Sequence, residues 1–209
     1  SRTEKLSSYC LTYFNNDIQY GSKYILKRLL DIVVSITSII VFLPLFIGII
    51  LYIYFLDGSE AIIKQDRVGL HGKQFKMYKF RTMKKNTPEM PTEKFENASQ
   101  FITGMGKILR MFSLDELPQF FNVLKGDMSL VGPRPERPHF VNQFTKQIPL
   151  YTRRLRVRPG ITGWAQVKWK YGGSLDTVRE KTKYDLFYIE NISLKMDAKI
   201  LINTVLTII

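Results

Sequence analysis

The chain has 209 residues, 45% hydrophobic and 23% charged, with a formal net charge of +13. That length suits one ordinary domain with a sizeable core, and that composition excludes a disordered or fibrous protein. The positive charge points to an anionic partner, whether lipid headgroup, nucleic acid or phosphorylated substrate, without choosing among them.

The N-terminal stretch is polar and holds the single cysteine, Cys10. One cysteine cannot form an internal disulfide, which fits a reducing, cytoplasm-facing location. The chain begins at Ser1 rather than Met and ends inside the apolar run Ile200 to Ile209, so it reads as a piece of a longer protein.

From Ile32 to Leu56 the sequence carries no charge. About 20 such residues suffice to span the hydrocarbon core as a helix. The run is too long for a cleavable signal peptide, and no small-residue cleavage site follows it. It is apolar on every face, and a domain this small could hardly cover it as a buried soluble helix. Pro44 sits near the midpoint, where it removes a backbone donor and kinks or breaks the helix. Lys23, Lys27 and Arg28 precede the segment, and Lys64, Arg67, Lys73 and Lys76 follow it. Positive flanks mark the cytoplasmic side, so basic flanks at both ends keep both ends there. The pattern predicts a re-entrant helix–break–helix over 23–57, broken at Pro44. A proline-kinked helix that crosses is the alternative.

Beyond Gly58 the pattern changes. Ala61 to Val68 and Phe75 to Thr82 are β-prone runs separated by Gly69-Leu70-His71-Gly72, which predicts a β-hairpin. Thr87 to Gln100, with Pro88 and Pro91, reads as a surface loop. Helical spacing follows over Phe101 to Phe112, and a second helix is expected from Ser113 to about Leu124, stopped at Gly126. Pro133, Pro135 and Pro138 exclude a regular helix over 132–138, and Arg158-Pro159-Gly160 marks a turn. Ser174 to Glu190 and Leu194 to Ile209 read as helices. In the middle region Phe112, Phe120, Phe121 and Leu124 alternate with Lys107, Arg110 and Lys125. Such helices lie in the headgroup plane or present an ordinary core stripe. The expected fold is α+β and mostly helical, with an N-terminal extension over 1–22, the re-entrant segment over 23–57, and a small cytoplasmic domain over 58–209, which the resemblance described below makes the catalytic one. That domain would carry the β-hairpin and the interfacial amphipathic helices.

The chemistry centres on Ser113-Leu114-Asp115-Glu116-Leu117-Pro118-Gln119. The plain reading is a capping box, with Ser113 as N-cap and Glu116 as its partner. A functional reading coexists with it. A carboxylate in a first helical turn feels the positive end of the helix dipole, so Asp115 would be ionised and held, as a carboxylate nucleophile must be. The same helix end attracts phosphate. Cations must then separate phosphate from carboxylate: Arg110, Arg134 in its Pro133-Arg134-Pro135 turn, and Arg156 and Arg158 before Pro159-Gly160 are the candidates. Magnesium is the other natural neutraliser, held by one or two carboxylates plus substrate phosphates.

Several motifs occur together: Lys27-Arg28-Leu29-Leu30-Asp31, Gln65-Asp66-Arg67-Val68-Gly69, Tyr78-Lys79-Phe80-Arg81-Thr82-Met83, SLDELPQ at 113–119, Asn122 to Pro135, Arg158 to Val167, and Asp185 to Asn191. In this order, over about residues 23 to 205, the chain resembles the bacterial sugar transferases, the monotopic phosphoglycosyl transferases. The resemblance implies transfer of a sugar-1-phosphate from a nucleotide-diphosphate sugar, usually a UDP-sugar, to polyprenyl (undecaprenyl) phosphate. It implies release of the nucleoside monophosphate and a need for Mg2+. It assigns Asp115 as the nucleophile that carries a covalent phosphosugar, Glu116 as its partner on the metal, and Arg110 and Arg134 as phosphate contacts. It also favours the re-entrant segment, a location at the bacterial inner membrane with the catalytic domain on the cytoplasmic face, and a role in starting surface glycan or polysaccharide synthesis. It leaves room for a homo-oligomer. The chain departs from the pattern at Leu43-Pro44, where the family often has Ser-Pro, and at Lys168-Trp169-Lys170, where many members have Asn-Gly-Arg. The second departure bears on substrate contacts and the choice of sugar.

A catalytically silent membrane-surface module, binding lipid or scaffolding other proteins, would keep the basic face and the apolar anchor without needing Asp115, Glu116 and Arg134 together. Nucleic acid is not expected as a partner, since no helix-turn-helix, zinc or stacking motif is present. The two histidines, His71 and His139, lie in a turn and a Pro-rich loop and build no Ser-His-Asp set.

Overall fold

A computed structural model of the protein describes residues 22–85, 87, 98–169 and 174–208. Residues 1–21 of the N-terminal extension with Cys10, most of the loop read over 87–100, and Lys170 lie outside them.

The apolar segment forms α1, Ser22–Tyr52, a single 31-residue helix with Pro44 inside it. One π-helical turn, Ile53–Asp57, continues it. The break expected at Pro44 is therefore not a stretch of non-helical residues. A proline removes one helical hydrogen bond, while the apolar backbone on either side has no better partner than its own helix. Among the described residues α1 is the one helix long and apolar enough to cross a membrane. The buried residues of this helix and turn fall into two groups, Lys27, Asp31 and Ser35 in the first half of α1, and Phe46 and Ile49 in its second half with Ile53 of the π-helical turn. Between them Ile36, Ile40, Val41 and Leu43 are exposed.

Each group is seated on the remainder of the protein. Lys27 Nζ donates to Asp197 Oδ2 at 2.7 Å and to the Val131 carbonyl at 3.2 Å. The Leu130 N–H donates to Asp31 Oδ1 at 3.2 Å. Arg28 donates to the carbonyls of Leu124 and Met128. In the second half, Phe46 packs edge-on against Phe80 and Phe121, at ring-centroid distances of 5.2 and 6.1 Å.

The predicted hairpin is present: β1, Ile62–Val68, pairs antiparallel with β2, Gln74–Phe80, from Ile62 opposite Phe80 to Val68 opposite Gln74. A 3-10 turn at Leu70–Gly72 joins them. Next comes α2, Gly104–Met111, capped by Thr103, whose hydroxyl accepts from the Gly106 N–H. Gly106 lies against the chain just past β2, where a Cβ would come within 2.1 Å of the Thr82 carbonyl oxygen. Only glycine permits that approach, which brings Arg110 to the end of β2.

The helix expected over 113–124 is divided. A 3-10 turn, Leu114–Glu116, precedes α3, Gln119–Lys125, which ends at Gly126 as its left-handed cap. A short parallel ladder follows, unannounced by hydrophobic patterning: β3, Ser129–Val131, with β4, Gly160–Thr162. A Cβ at Gly160 would lie 2.1 Å from the Gly132 nitrogen, so this crossing also needs glycine. Between the strands lie α4, Pro138–Gln147, and a 3-10 segment, Tyr151–Arg156. The chain closes with α5, Trp164–Lys168, then α6, Leu175–Glu190, capped by Ser174, and α7, Leu194–Ile208. The main core gathers Met77, Val123, Met128, Val131, Trp164, Tyr188 and Ile200 from strands and helices far apart in the chain. A second cluster joins Phe46 and Ile49 of α1 and Ile53 of the π-helical turn to Phe80 and Leu109.

Candidate active site

Four segments meet at one cationic, mostly buried centre. Strand β2 supplies Lys79, the 3-10 turn supplies Asp115 and Glu116, the loop after β3 supplies Arg134, and α2 supplies Arg110.

The turn does not form in the way the capping-box reading expects. Ser113 has φ 55° and ψ 21°, in the left-handed region, and makes no side-chain cap hydrogen bond. For a residue with a Cβ that conformation costs on the order of 1 kcal/mol. It reverses the chain direction immediately after α2 and turns Asp115 and Glu116 toward β2. Asp115 accordingly sits in a three-residue 3-10 turn, not in the first turn of an α-helix, and the dipole argument for its ionisation loses its footing. Ser113→Gly is expected to leave the thermal unfolding midpoint unchanged or raised. Ser113→Val is expected to cost about 1–3 kcal/mol of stability, because a β-branched residue fits this region worst. Unfolding in detergent followed by circular dichroism measures both.

Glu116 is the fixed member of the dyad. Its Oε1 accepts from Lys79 Nζ at 2.7 Å and from Arg134 NH2 at 2.8 Å, and its Oε2 lies 3.5 Å from Arg134 NH1. Burial raises the affinity of this carboxyl for a proton, but Arg134 and Lys79 together overcome that and hold it well below the usual carboxylate range. Asp115 is placed differently. Its Oδ2 is 3.8 Å from Lys79 Nζ, and among the described residues its carboxylate accepts no hydrogen bond. Burial pushes its pKa up, Lys79 pulls it down, and the neighbouring Glu116 raises it again. Lys79 has its own pKa lowered by burial, opposed chiefly by Glu116. Arg110 donates through Nε to Thr82 Oγ1 at 2.9 Å, and its charge favours the ionised form of Asp115.

The Pro133-Arg134-Pro135 segment has few backbone donors, and its carbonyls are what hold it. The Pro133 carbonyl accepts from the Gly160 N–H at 3.0 Å, and that of Glu136 from the Val68 N–H at 2.9 Å. Pro135 O accepts from Arg67 NH1 at 3.3 Å, and Arg134 O from Arg154 NH2 at 2.9 Å.

A family model described as bacterial sugar transferase matches residues 22–209. The chain belongs to that family. It is 42% identical over 184 residues to a UDP-N-acetylgalactosamine-undecaprenyl-phosphate N-acetylgalactosaminephosphotransferase from Aeromonas hydrophila, covering 88% of this chain and 44% of the relative. UDP-glucose:undecaprenyl-phosphate glucose-1-phosphate transferases of Caulobacter vibrioides and Klebsiella pneumoniae are 39% and 38% identical. Those alignments cover 86% and 98% of this chain, and 68% and 44% of the relatives. The chain thus spans less than half the length of the Aeromonas and Klebsiella proteins.

Within this bacterial sugar transferase, Arg134 bonds Glu116 and Arg110 lies close enough to Asp115 to favour its ionised form. Arg158 is placed elsewhere: its Nε donates to the Gly126 carbonyl at 2.8 Å, and its guanidinium lies 5.5 Å from the centre of the Tyr24 ring. Arg156 is on the exposed side of its 3-10 segment. Two residues were not singled out from the sequence: Lys79 in the centre, and Arg154 behind it on the Arg134 carbonyl. Lys79 had a signal. In an alternating strand it shares a face with Phe75 and Met77, which pack into the main core, and a lysine on that face needs a buried partner. Arg154 had no comparable signal among four arginines in six positions from Arg153 to Arg158.

For magnesium, no group of three or more acidic, histidine or cysteine side chains that could hold a metal occurs among the described residues. The donor set fits an ion held by one or two carboxylates together with substrate phosphates, not an all-protein cage. Asp115 is held only by the 3.8 Å ion pair of its Oδ2 with Lys79, whereas the oxygens of Glu116 are engaged at closer range by Lys79 and Arg134.

Proposed function

We propose that the protein transfers a sugar-1-phosphate from a UDP-sugar to undecaprenyl phosphate through a covalent intermediate on Asp115, releasing UMP and starting a surface glycan. The observation that carries this reading is the division of labour in the dyad: a half-buried carboxylate with only a 3.8 Å ion pair to Lys79 beside one clamped between two cations. The relatives' names supply the substrate classes.

In the first step an Asp115 oxygen attacks the sugar-linked phosphorus. The bond to the bridging oxygen of the diphosphate breaks, and UMP leaves with that oxygen. In the second step an oxygen of the lipid phosphate attacks the same phosphorus and frees the carboxylate. Neither step needs an oxidant or a second nucleotide. Lys79 and Arg134 fix Glu116 and bring positive charge to where phosphate charge is redistributed, the kind of preorganised field that lowers phosphoryl-transfer barriers. Arg110 stands on the other side, at Asp115. Magnesium, when bound by Asp115 and the substrate phosphates, supplies further charge between nucleophile and phosphate; for Glu116 to join it, a contact to Lys79 or Arg134 must be exchanged. Arg156 and Arg158 belong to the proposal only as more distant phosphate contacts. A panel of UDP-sugars incubated with the protein, Mg2+ and undecaprenyl phosphate tests the activity by UMP release, and no UMP from any donor refutes it.

The membrane reading is re-entrant, with the catalytic domain on the cytoplasmic face. Asp31 and Phe46 both touch the same domain, yet along a straight helix they lie about 22 Å apart, short of the ~30 Å of hydrocarbon. Contacts with the same domain on both sides of Pro44, over a span too short to cross, support a segment that bends at Pro44 and stays on one face. Exposed Ile108, Met111, Phe112 and Phe121, near the basic Lys107 and Lys125, support helices α2 and α3 lying at the headgroup level. With Cys10 changed to Ser, cysteines placed at Ser22 and Glu60 are expected to label from the same side of sealed vesicles. Labelling from opposite sides would overturn this topology.

A further inference from the structure

We infer that Arg154 and Asp185 are positioning residues that set the reach of Arg134, an inference that rests on the reading of Asp115 and Glu116 as the transfer centre. The Arg154 guanidinium is engaged through all three of its nitrogens. NH1 donates to the Tyr151 hydroxyl at 2.8 Å, Nε to Asp185 Oδ2 at 3.1 Å, and NH2 to Asp185 Oδ2 at 2.8 Å and to the Arg134 carbonyl at 2.9 Å. The Arg154 and Asp185 side chains are 7% and 3% exposed.

A buried ion pair is a poor way to gain stability, because desolvating both charges offsets most of their attraction. What this pair provides is direction. Asp185 belongs to α6, the 16-residue helix Leu175–Glu190, and through it the planar Arg154 fork is held at a fixed angle. The second N–H of NH2 is aimed at one backbone carbonyl, that of the arginine which clamps Glu116. Pro133 and Pro135 leave the segment without two amide donors, so it is held through its carbonyls, and the Arg134 carbonyl is the one nearest the guanidinium that matters. Loss of that bond lets the peptide rotate, and the Arg134 side chain moves with it. Lysine cannot replace this fork, since one ammonium cannot donate in the plane to Asp185, Tyr151 and Arg134 together.

The test is a double-mutant cycle on UMP release, combining Arg154→Lys with Arg134→Ala. Residues that act through one another give non-additive losses. Arg154→Lys is expected to lower kcat/KM by about 10- to 100-fold in the native background and by less than about 2-fold when Arg134 is already alanine. Its effect on the thermal midpoint should be the same in both. Full multiplication of the two losses, or no loss from Arg154→Lys, overturns the inference. Asp185→Asn, which keeps the shape of the partner and removes its charge, repeats the cycle if the lysine variant fails to fold. Hydrogen exchange gives a second readout that needs no activity. The Gly160 and Val68 amides, bonded to the carbonyls of Pro133 and Glu136, should exchange faster in Arg154→Lys while the α6 amides do not change. Unchanged exchange at Gly160 and Val68 overturns the positioning role. A native protein that releases no UMP counts against the transfer reading alone.

Discussion

Asp115→Asn is expected to abolish UMP release, by on the order of 10⁴-fold or more, and to remove any covalent phosphosugar adduct detectable by mass spectrometry. The amide is nearly isosteric with the carboxylate, so the fold should persist. Because burial raises the Asp115 pKa, the side chain is easier to keep neutral than an ordinary aspartate, and removing its charge relieves a desolvation cost. The thermal midpoint should therefore hold or rise while turnover disappears. That pairing separates a nucleophile from a structural acid. Glu116→Gln gives the contrast: its charge is what Lys79 and Arg134 are bound to, so it should cost both activity and stability. Near-normal turnover in Asp115→Asn would refute the assigned nucleophile, whatever the stability result.

Lys79→Met is expected to produce the second large effect, a fall of about 10²–10³-fold in kcat/KM, or roughly 3–4 kcal/mol of transition-state stabilisation. It should also move the acidic limb of the pH profile. If Asp115 is the nucleophile proposed above, attack requires its carboxylate, whose pKa is raised by burial and lowered chiefly by Lys79. Removing the ammonium makes ionisation harder, so the pKa rises further and the limb of kcat/KM moves to higher pH. Glu116 behaves oppositely in the stability profile. Its depressed pKa gives the native state an advantage that is complete above the unfolded carboxyl pKa and is lost as pH falls toward the folded value. Lys79→Met should shrink this advantage without removing it, since Arg134 still binds Glu116. A limb that stays in place, or moves to lower pH, would show that Asp115 is not the group titrating.

Much of the architecture was legible because it is local. A charge-free run long enough to bury its own backbone hydrogen bonds becomes α1. Alternating residues around a Gly-rich turn become the hairpin, Gly126 stops α3, and Ser174 caps α6. The β3–β4 ladder was not legible, because three-residue strands carry too few positions to show a period and are held by Gly132 and Gly160 meeting from distant segments. Ser113 misled for a related reason. Its composition matches a capping box, but the chain must reverse direction after α2 packs on Thr82, and tertiary contact overrides the local preference.

The sequence by itself determined which family the chain resembles, where its apolar helix lies, and that Asp115 and Glu116 with Arg110 and Arg134 are the residues of interest. Their types and order are properties of the chain alone. Only the tertiary structure decided how those residues differ from one another. Glu116 is clamped by Lys79 from a strand 37 positions away and by Arg134 from a loop 18 positions away, while adjacent Asp115 has only a looser, 3.8 Å ion pair to Lys79. It also decided where the arginines before Pro159 go: Arg154 meets Asp185 of α6 and the Arg134 carbonyl, whereas Arg158 donates to the Gly126 carbonyl. Such choices depend on through-space distances between charges in a buried setting, and spacing along the chain carries no record of them.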